Sequence, residues 1–232
     1  MSFFKLLGAI VKKRLANDAP KPVRDIVPFR LAQTSAVEIS IVPLVLAESA
    51  GALFGSQVTE KQTIVAVGRF TLFGIQYIRA YLSQDAGAYF QFAIQGHNVI
   101  ETRLFRPYDE VIPATTEDWS FWLDQFDGYV GYPVMQSKDE DGPQQYRRSW
   151  APSDQRISPF ETTETIIDMA GSSTAIQHLM MLYSRGLSDR LAEYLLVSAV
   201  ATDDGMSINL WLGIDLTEHD LTVYPGADVP VF

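Results

Sequence analysis

The segment from residue 117 to residue 134, EDWSFWLDQFDGYVGYPV, interleaves aromatic rings with the aspartates Asp118, Asp124 and Asp127. Aromatic side chains offer large apolar faces, and paired carboxylates are the catalysts of glycoside hydrolysis. One hypothesis is therefore a carbohydrate platform with catalytic carboxylates. The alternative is a helix that contributes its rings to the protein core.

The residues that flank this segment favour the helix. Thr115 and Thr116 precede an acidic first turn, and Gly128 follows the last ring, which together are typical of a helix start and stop. At about 100° per residue, four large apolar side chains share one stripe of the helix. These side chains are Trp119, Trp122, Leu123 and Phe126. The stripe predicts a core face packed on a sheet, with the aspartates on a solvated face.

Phe121 is the exception on this helix, because the same geometry places it on the polar side. We predict that it contacts a partner or lies beneath a loop. A carbohydrate platform would then depend on Tyr129 and Tyr132, since these rings lie outside the apolar stripe.

Three glutamates in strand-like contexts, Glu101, Glu161 and Glu193, are the candidates for a hydrolytic carboxylate pair. Residues that are distant in sequence can converge in the fold and form such a pair. The alternative is that each glutamate pairs with an arginine, because a buried carboxylate needs a counter-charge. The arginines considered for this role are Arg103, Arg147, Arg148 and Arg185.

Sequence motifs for catalysis or metal binding are missing. The histidines His97, His178 and His219 lie far apart, and none has a second ligand two or four residues away. The sequence contains no HExxH, GxxxxGK, GxGxxG or GxSxG pattern. The run from Asp139 to Gly142 resembles the start of a calcium loop but lacks the closing glutamate, so it predicts a hairpin turn. We therefore predict no catalytic residues, no metal and no cofactor, which favours a protein that is not an enzyme.

Composition and charge limit the class of protein and its partners. The chain of 232 residues is 47 % apolar, which is ordinary for a globular protein, and it has no cysteine for disulfides or thiolate sites. Its net charge of −10 disfavours nucleic acid as a partner, because phosphate contacts need a basic face. Residues 1–30 hold seven basic and two acidic residues, a net charge of +5, so the remaining residues carry −15. This asymmetry indicates an arm that has its own partner.

The arm is predicted to combine an amphipathic helix with an extended linker. From Phe3 to Leu15 the apolar side chains fall on one half of a helical wheel, and three prolines between residues 17 and 30 favour the linker. About fourteen helical residues span roughly 21 Å, which is too short for a hydrocarbon core of about 30 Å. We expect the helix to lie on an anionic membrane surface, or to dock on the body or on a second subunit. The predicted contact residues are Phe3, Phe4, Lys5, Leu7, Ile10, Lys12 and Lys13.

The body of the chain alternates polar and apolar residues, as strands do. One parity contains Ile75, Tyr77, Arg79 and Tyr81, and the turn GHN at 96–98 separates two further strands. Short strands joined by tight turns pair antiparallel, because parallel crossovers need a dozen or more residues. Three more strands between residues 193 and 224 repeat this arrangement. We predict an α+β fold, predominantly antiparallel β meanders with a few helices, forming a single β-rich domain over residues 31–232.

Several segments, taken in order, resemble the YjfK-like bacterial proteins, a family of unknown function. They are RLFRPYDEV (103–111), FWLDQFDGYVGYPV (121–134), YRRSW (146–150), HLMMLYSRGL (178–187), EYLLVSA (193–199) and GIDL (213–216). The resemblance runs from about Arg30 to Tyr224 and leaves the basic arm outside. It implies a cytoplasmic bacterial protein whose gene neighbours encode phage-shock-type membrane-remodelling proteins.

Together these observations predict a non-enzymatic interaction or accessory protein, peripheral to the cytoplasmic membrane and linked to envelope maintenance. The expected partners are a protein of the phage-shock type, an anionic membrane surface on the cytoplasmic side of the inner membrane, and a second copy of the chain. The alternative function is a carbohydrate-active or small-ligand-binding protein that uses aromatic residues and glutamates. An enclosed apolar cavity with few polar groups would favour the ligand carrier.

A vesicle experiment tests the lipid hypothesis for the arm. We expect the full-length protein to co-sediment with anionic vesicles, and less of it to do so as salt rises to physiological levels, because ions screen the lysine charges. Changing Phe3 and Phe4 together to serine should abolish sedimentation, since their burial in the bilayer interface is lost. If the full-length protein does not co-sediment with anionic vesicles at low salt, the helix belongs to a protein interface instead.

Overall fold

The structure, a computed structural model, describes residues 33–57, 61–84, 87–137, 142–202 and 205–224. The predicted contacts of the arm therefore lie outside the described residues. The strands are β1 (Ala36–Ile39), β2 (Lys61–Leu72), β3 (Ile75–Leu82), β4 (Tyr89–Gln95), β5 (Asn98–Val111), β6 (Val134–Ser137), β7 (Gln144–Arg148), β8 (Phe160–Asp168), β9 (Ser173–Gly186), β10 (Ala192–Thr202), β11 (Gly205–Asp215) and β12 (Leu221–Tyr224). The helices are α1 (Val42–Ser49), α2 (Thr116–Leu123) and a 3₁₀ turn at Glu218–Asp220.

Eight of these strands close into an antiparallel barrel. The order around the ring is β2, β3, β4, β5, β11, β10, β9, β8 and back to β2. Two four-stranded meanders, β2–β5 and β8–β11, are joined by the β5–β11 pair and by the β2–β8 pair, in which Arg69 lies opposite Thr165. The predominantly antiparallel β fold predicted from the sequence is confirmed. Closure of the meanders into a barrel was not predicted.

The other four strands extend the wall of the barrel. β1 pairs with the start of β2 and with β12, and β7 pairs with the end of β9 and with β6. The predicted turn at 96–98 joins β4 to β5 as a two-residue loop, with Gly96 at a positive φ of 63°. A positive φ at this position matches the right-handed twist of a hairpin, which explains the glycine.

Side chains of alternate parity point into the lumen and away from it. The lumen face includes Gly68, Arg79 and Gln91, which are paired side by side on β2, β3 and β4. The outward side chains Ile78 and Phe90 are fully buried as well, so the wall carries apolar packing on both sides. The sequence therefore gives these strands long apolar runs in place of a clean alternation.

Aromatic rings cover the lumen at one end. Trp150 is almost fully buried and makes edge-to-face contacts with Tyr77, Phe73 and Phe160. Tyr77 itself stacks on Phe70, with ring centres 4.9 Å apart. These five rings come from β2, β3, the β2–β3 turn, β8 and the loop after β7, so this end is filled with apolar surface.

Helix α2 forms where the sequence predicted a helix, but it is shorter. Thr115 and Asp118 form a reciprocal capping box at its start. It ends at Leu123, because Asp124 has extended backbone angles and its carboxylate accepts hydrogen bonds from the amides of Phe126 and Asp127. Phe126 is consequently 79 % exposed, so its assignment to the core stripe was wrong.

Of the other three residues of the predicted apolar stripe, one is buried as expected and two are half-buried. Leu123 is buried on the outside of the barrel beside Leu179 and Ala199. Trp119 and Trp122 are half-buried and pack against the edge of the apolar core. The helix therefore lies on the sheet through one fully buried residue and two partly exposed rings.

Gly68 makes room inside the barrel for the carboxylate of Glu164. A Cβ atom on residue 68 would lie 1.8 Å from Glu164 Oε1 and 3.1 Å from the Tyr81 ring. Real Cβ atoms do not approach other atoms so closely, so Glu164 would have to leave its position. A glycine within a strand marks a close approach of this kind.

We expect Gly68→Ala to lower the free energy of unfolding by about 3 kcal/mol or more, because displacing Glu164 breaks a buried ion pair. Gly186→Ala is the matched control, since a Cβ there meets no atom within 4 Å and the backbone is not left-handed. The control should change stability by less than about 0.5 kcal/mol. Urea unfolding of both variants measures the difference, and equal stabilities would contradict the close packing of Gly68 against Glu164.

Candidate ligand-binding site in the barrel lumen

The lumen contains a cavity of about 710 Å³ at the end opposite the aromatic rings. Its walls come from seven of the eight barrel strands. Its lining consists of Arg79, Tyr81, Gly87, Tyr89, Pro107, Tyr108, Asp109, Glu110, Ile166, Ile176, His178, Val200, Asn209, Leu210 and Trp211. Pro107, Asp109 and Glu110 are exposed, so the cavity opens to solvent along the last part of β5.

A β-bulge shapes the mouth of this cavity. Trp211 pairs with Pro107 and Leu210 pairs with Asp109, which leaves Tyr108 as an extra residue on β5. A bulge bends its strand and re-aims the neighbouring side chains. Here it brings Leu210 and Trp211, consecutive residues of one strand, to the same cavity.

A buried ion pair lies deep in the lumen. Arg79 Nη1 donates to Glu164 Oε2 at 2.7 Å, and the two side chains are 2 % and 0 % exposed. Arg79 Nε donates to Gln91 Oε1 at 3.0 Å. The guanidinium also lies over the rings of Phe70 and Tyr89, with its carbon 4.8 Å and 4.7 Å from their centres. Both rings are close enough to attract the cation by cation–π interaction.

The Glu164 carboxylate receives two further groups. Tyr81 donates its hydroxyl to Oε1 at 2.7 Å, and His178 Nε2 lies 3.1 Å from Oε2. His178 Nδ1 lies 3.0 Å from the hydroxyl of Ser198. A neutral imidazole with its proton on Nε2 accepts from Ser198 at Nδ1 and turns its N–H towards Glu164, although Nε2 makes no well-aligned hydrogen bond there. Strands β3, β8, β9 and β10 are thus tied together through one carboxylate.

This environment shifts the pKa values of the cluster in opposite directions. Burial opposes ionisation of Glu164, but attraction by Arg79 and the hydrogen bonds from His178 and Tyr81 outweigh it and lower its pKa to about 2. Burial lowers the pKa of His178, and the positive charge of Arg79 lowers it further. Burial also raises the pKa values of Tyr81 and Tyr89. At neutral pH the ionised groups are therefore Arg79 and Glu164, and they balance each other.

Three polar atoms of residues that line the cavity lack a hydrogen-bond partner. Among the described residues, these atoms are Arg79 Nη2, the hydroxyl of Tyr89 and His178 Nε2, and all three are buried. Most buried polar groups are hydrogen-bonded, and each exception calls for an explanation. The three residues line the cavity through other atoms, because the unpartnered atoms themselves have almost no accessible surface.

The glutamates proposed from the sequence do not line this cavity. Glu101 pairs with Arg103 and Glu193 pairs with Arg185, both at 2.7 Å, which confirms the arginine alternative for these two. Glu193 is fully buried outside the barrel, where it also accepts from Tyr146 and from the amide of Phe54. Glu161 is exposed.

Arg148 has a different role from the one expected. It donates to the backbone carbonyls of Gly131, Ala151, Ser153 and Gln155, which fixes the loop after β7. Arg147 is exposed on β7. Neither arginine has a carboxylate partner among the salt bridges of the described residues.

Phe121 is 59 % exposed, as the helical geometry predicted. Its ring stacks on Tyr129 at 5.6 Å and meets Trp122 edge-on, and Tyr129 in turn contacts Tyr132. One partly exposed cluster thus joins Phe121 and Trp122 of the helix to Tyr129 and Tyr132, the two rings of the hypothetical sugar platform. Contact of Phe121 with a partner stays a prediction.

The residues of the lumen cluster were not predicted as a site, although the sequence contains two signals. Arg79 shares its parity with apolar and aromatic residues of β3, so a charge points into the barrel. Gly68 stands inside an otherwise regular strand, which indicates close approach of another group. Of the three histidines, His97 and His219 are exposed, and only His178 is buried in the cluster.

The described part of the chain gives two further findings. No helix in it is long and apolar enough to span a membrane. It also holds no group of three or more histidine, cysteine, aspartate or glutamate side chains that could bind a metal ion.

The fold and the site define an antiparallel β-barrel protein with an open cavity in its lumen. The chain belongs to the DUF2491 family, described as proteins of unknown function, whose sequence model matches residues 9–222. The match begins within the basic arm, which the resemblance to YjfK-like proteins had left outside; the YjfK-like resemblance itself stays a prediction. No curated protein and no solved structure matches the chain significantly.

Acid should destabilise the protein in two stages. As the pH falls below 6.5, the ordinary pKa of histidine, the unfolded chain takes up a proton at His178 that the folded chain resists. Below 4.5 the same holds for Glu164 until its folded pKa of about 2 is reached. The contribution of these two groups to stability is therefore largest above pH 6.5, and urea midpoints measured from pH 8 to pH 4 should fall.

Substitution of His178 separates the two stages. We expect His178→Gln to remove most of the fall in stability between pH 6.5 and pH 5, because glutamine does not titrate. His219→Gln is the control, since His219 is exposed and should leave the profile unchanged. Identical pH profiles for wild type and His178→Gln would contradict a buried neutral imidazole.

Proposed function

We propose that the protein is a non-enzymatic binding protein that holds one small, largely apolar molecule in the lumen of its barrel. The observation that supports this most is the cavity of about 710 Å³. It is open to solvent and partly lined by polar residues, so it differs from the enclosed apolar cavity expected of a ligand carrier. Ligand sites in proteins typically measure 300–1,000 Å³ and combine apolar walls with a few fixed polar groups. Barrels of eight strands are wide enough to hold one small ligand.

Four residues of the cavity wall favour an apolar ligand. Ile166, Ile176, Val200 and Trp211 are half-buried and line the cavity from β8, β9, β10 and β11. Their remaining exposed surface faces the lumen, and a ligand that covers it gains about 25 cal/mol for each Å² removed from water. Binding to a preformed barrel needs little reorganisation of the protein, which favours affinity.

The deep carboxylate is better suited to structure than to acid catalysis. Glu164 is held by Arg79, Tyr81 and His178, and its pKa lies at about 2, so it stays ionised at neutral pH. A general acid in glycoside hydrolysis needs a raised pKa. Asp109 and Glu110 at the mouth are exposed. This arrangement supports binding over hydrolysis within the cavity.

The accessory role predicted from the sequence is proposed alongside ligand binding. Its partners would be a phage-shock-type membrane-remodelling protein, the anionic cytoplasmic face of the inner membrane through the arm, or a second copy of the chain. The exposed ring of Phe121, with Tyr129 stacked against it, supports a protein contact at that surface. The arm and its lipid contact rest on the sequence pattern of residues 1–30.

A neutral fluorescent probe tests ligand binding. The fluorescence of N-phenyl-1-naphthylamine increases in apolar surroundings. We expect saturable binding of one probe molecule per chain. Ile166→Trp should weaken binding at least about tenfold, because the larger side chain narrows the lumen. Ile167→Trp is the matched control, since the next residue of β8 points away from the lumen and should leave affinity unchanged.

The unfolding transitions of both variants would be recorded first, so that only folded proteins are compared. Failure of the wild-type protein to bind the probe would overturn the proposal. Equal loss of affinity in both variants would also overturn it, because the probe would then bind outside the lumen.

A further inference from the structure

Helix α1 carries apolar side chains on all of its faces. Leu44 and Ala47 are buried in the core. At about 100° per residue, four further apolar side chains share roughly 140° of arc on the opposite side. They are 42 % to 59 % exposed and form the outer face of α1, which consists of Ile41, Val42, Val45 and Leu46. A helix that is apolar all round is normally buried all round, so this outer face calls for a covering element.

The size and charge of the outer face favour a tethered segment over a second copy or an anionic membrane. Each partner in a stable dimer buries about 800 Å², which four half-exposed aliphatic side chains do not provide. The charged residue of α1 is Glu48, and the acidic turn Glu218–Asp220 lies beside the start of the helix, where the amide of Ser40 donates to the carbonyl of Asp220. Acidic side chains at this place repel an anionic lipid surface. A segment of the same chain needs less contact area, because its tether raises its effective concentration.

The basic arm is within reach of this face. The arm joins the described residues at Gln33, and Ile41 follows eight residues later, so the two lie at most about 29 Å apart. The predicted amphipathic helix of the arm ends at Leu15, which leaves residues 16–32 as a linker. A linker of seventeen residues reaches roughly 20–25 Å on average and about 56 Å at most. A tether acts best when its average reach matches the span, as it does here.

The pattern of the arm is complementary to the outer face of α1. Its apolar side chains cover one half of a helical wheel, and Arg14 falls within that half, between Phe3 and Leu7 in angle. On a lipid surface this cation would have to bend away from the hydrocarbon. On α1 it meets a counter-charge, because Glu48 is exposed and lies beside Ile41 on the helical wheel. Residues 225–232, which follow β12, contain no basic residue for this role.

We infer that residues 3–15 dock on the outer face of α1, with their apolar half against the four exposed side chains and Arg14 beside Glu48. This inference is independent of ligand binding in the lumen, and it assigns the arm a place on the body. The apolar half of the arm cannot be buried on α1 and in lipid at the same time. Docking therefore withholds the arm from an anionic membrane, and lipid contact requires that the arm leave α1.

Paired cysteines test the docking, because the chain has no cysteine of its own. We expect Val45→Cys to form a disulfide within one chain with Leu7→Cys or with Ile10→Cys under mild oxidation, since docking brings the Cβ atoms within bonding range. Non-reducing electrophoresis and mass spectrometry of the full-length protein measure the rate and distinguish one chain from two. The unfolding midpoints of the reduced variants would be recorded first, so that only folded proteins are compared.

Ile112→Cys, combined with the same arm cysteines, is the matched control. Ile112 is 71 % exposed and follows the end of β5, where the preceding residue pairs with Ile208. Glu193, which accepts from the segment after α1, pairs with Ile214, six residues or roughly 20 Å farther along β11. We expect cross-linking to Val45→Cys to be at least about tenfold faster than to the control.

The other results would overturn the inference. A disulfide between two chains at Val45→Cys would assign the outer face to a second copy. Cross-linking no faster than in the control would show that the arm does not dock on α1.

A charge exchange tests the position of Arg14. Arg14→Glu should slow the cross-linking several-fold, because two carboxylates then face each other, and Glu48→Arg added to it should restore the rate. A double variant that cross-links no faster than Arg14→Glu alone would contradict the placement of Arg14 beside Glu48.

Discussion

The ion pair of Arg79 and Glu164 is the constraint on which the interior of this barrel depends. Two charges taken out of water carry a large desolvation cost, which their attraction offsets only when the geometry is good and the remaining lone pairs are occupied. Both conditions hold here, since Gln91, Tyr81 and His178 surround the pair and Gly68 clears the space for it. Apolar residues of similar volume would often be as stable. What the pair adds is a fixed link between β3 and β8, two strands that belong to different meanders.

The wall of the barrel uses the same chemical group twice, once on each side. Glu193 faces outward, is fully buried, and is held by Arg185 and Tyr146, as Glu164 is held by Arg79 and Tyr81. The outer cluster is completed by the amide of Phe54, so it fastens the segment after α1 to the barrel. In the inner cluster one guanidinium nitrogen of Arg79 is buried without a hydrogen-bond partner among the described residues. The chain itself therefore completes the outer arrangement but not the inner one.

The strands, their antiparallel pairing and the start of α2 could be predicted from local patterns. Alternation, turn residues and capping residues act within a few positions of each other, and a sequence reports such effects directly. The end of α2 was predicted too far along the sequence, because the carboxylate of Asp124 accepts a hydrogen bond from the amide of Phe126. A helical wheel counts apolar residues only and does not account for this competing hydrogen bond. The ring closure was missed for a different reason. The sequence of β8 is typical of a polar strand. Only when β8 pairs with β2 do Thr162, Glu164 and Ile166 face the interior of a closed barrel.

The lumen cluster was not predicted for the same reason, because its residues meet only when the barrel closes. Glu101 and Glu193 were correctly assigned arginine partners, because each has one in an adjacent position of its own strand or of the neighbouring strand. Glu164 on β8 contacts Arg79 on β3 across the intervening strand β2 of the closed ring, so no local spacing connects them. The absence of calcium, phosphate and zinc motifs from the sequence does not bear on whether the fold has a cavity. A binding site made of apolar walls and a few polar groups has no sequence signature of its own.

Closure through β2 and β8 also bears on how the chain reaches its native state. The two meanders are built from hairpins that form locally, whereas the pairing of Arg69 with Thr165 joins segments from opposite halves of the sequence and carries the entropy of a long loop. Arg79 and Glu164 belong to different meanders, so before closure both charges remain in water. Until then β2 and β8 are open edges that can pair with other chains, which makes the half-closed barrel the species most prone to aggregation during synthesis.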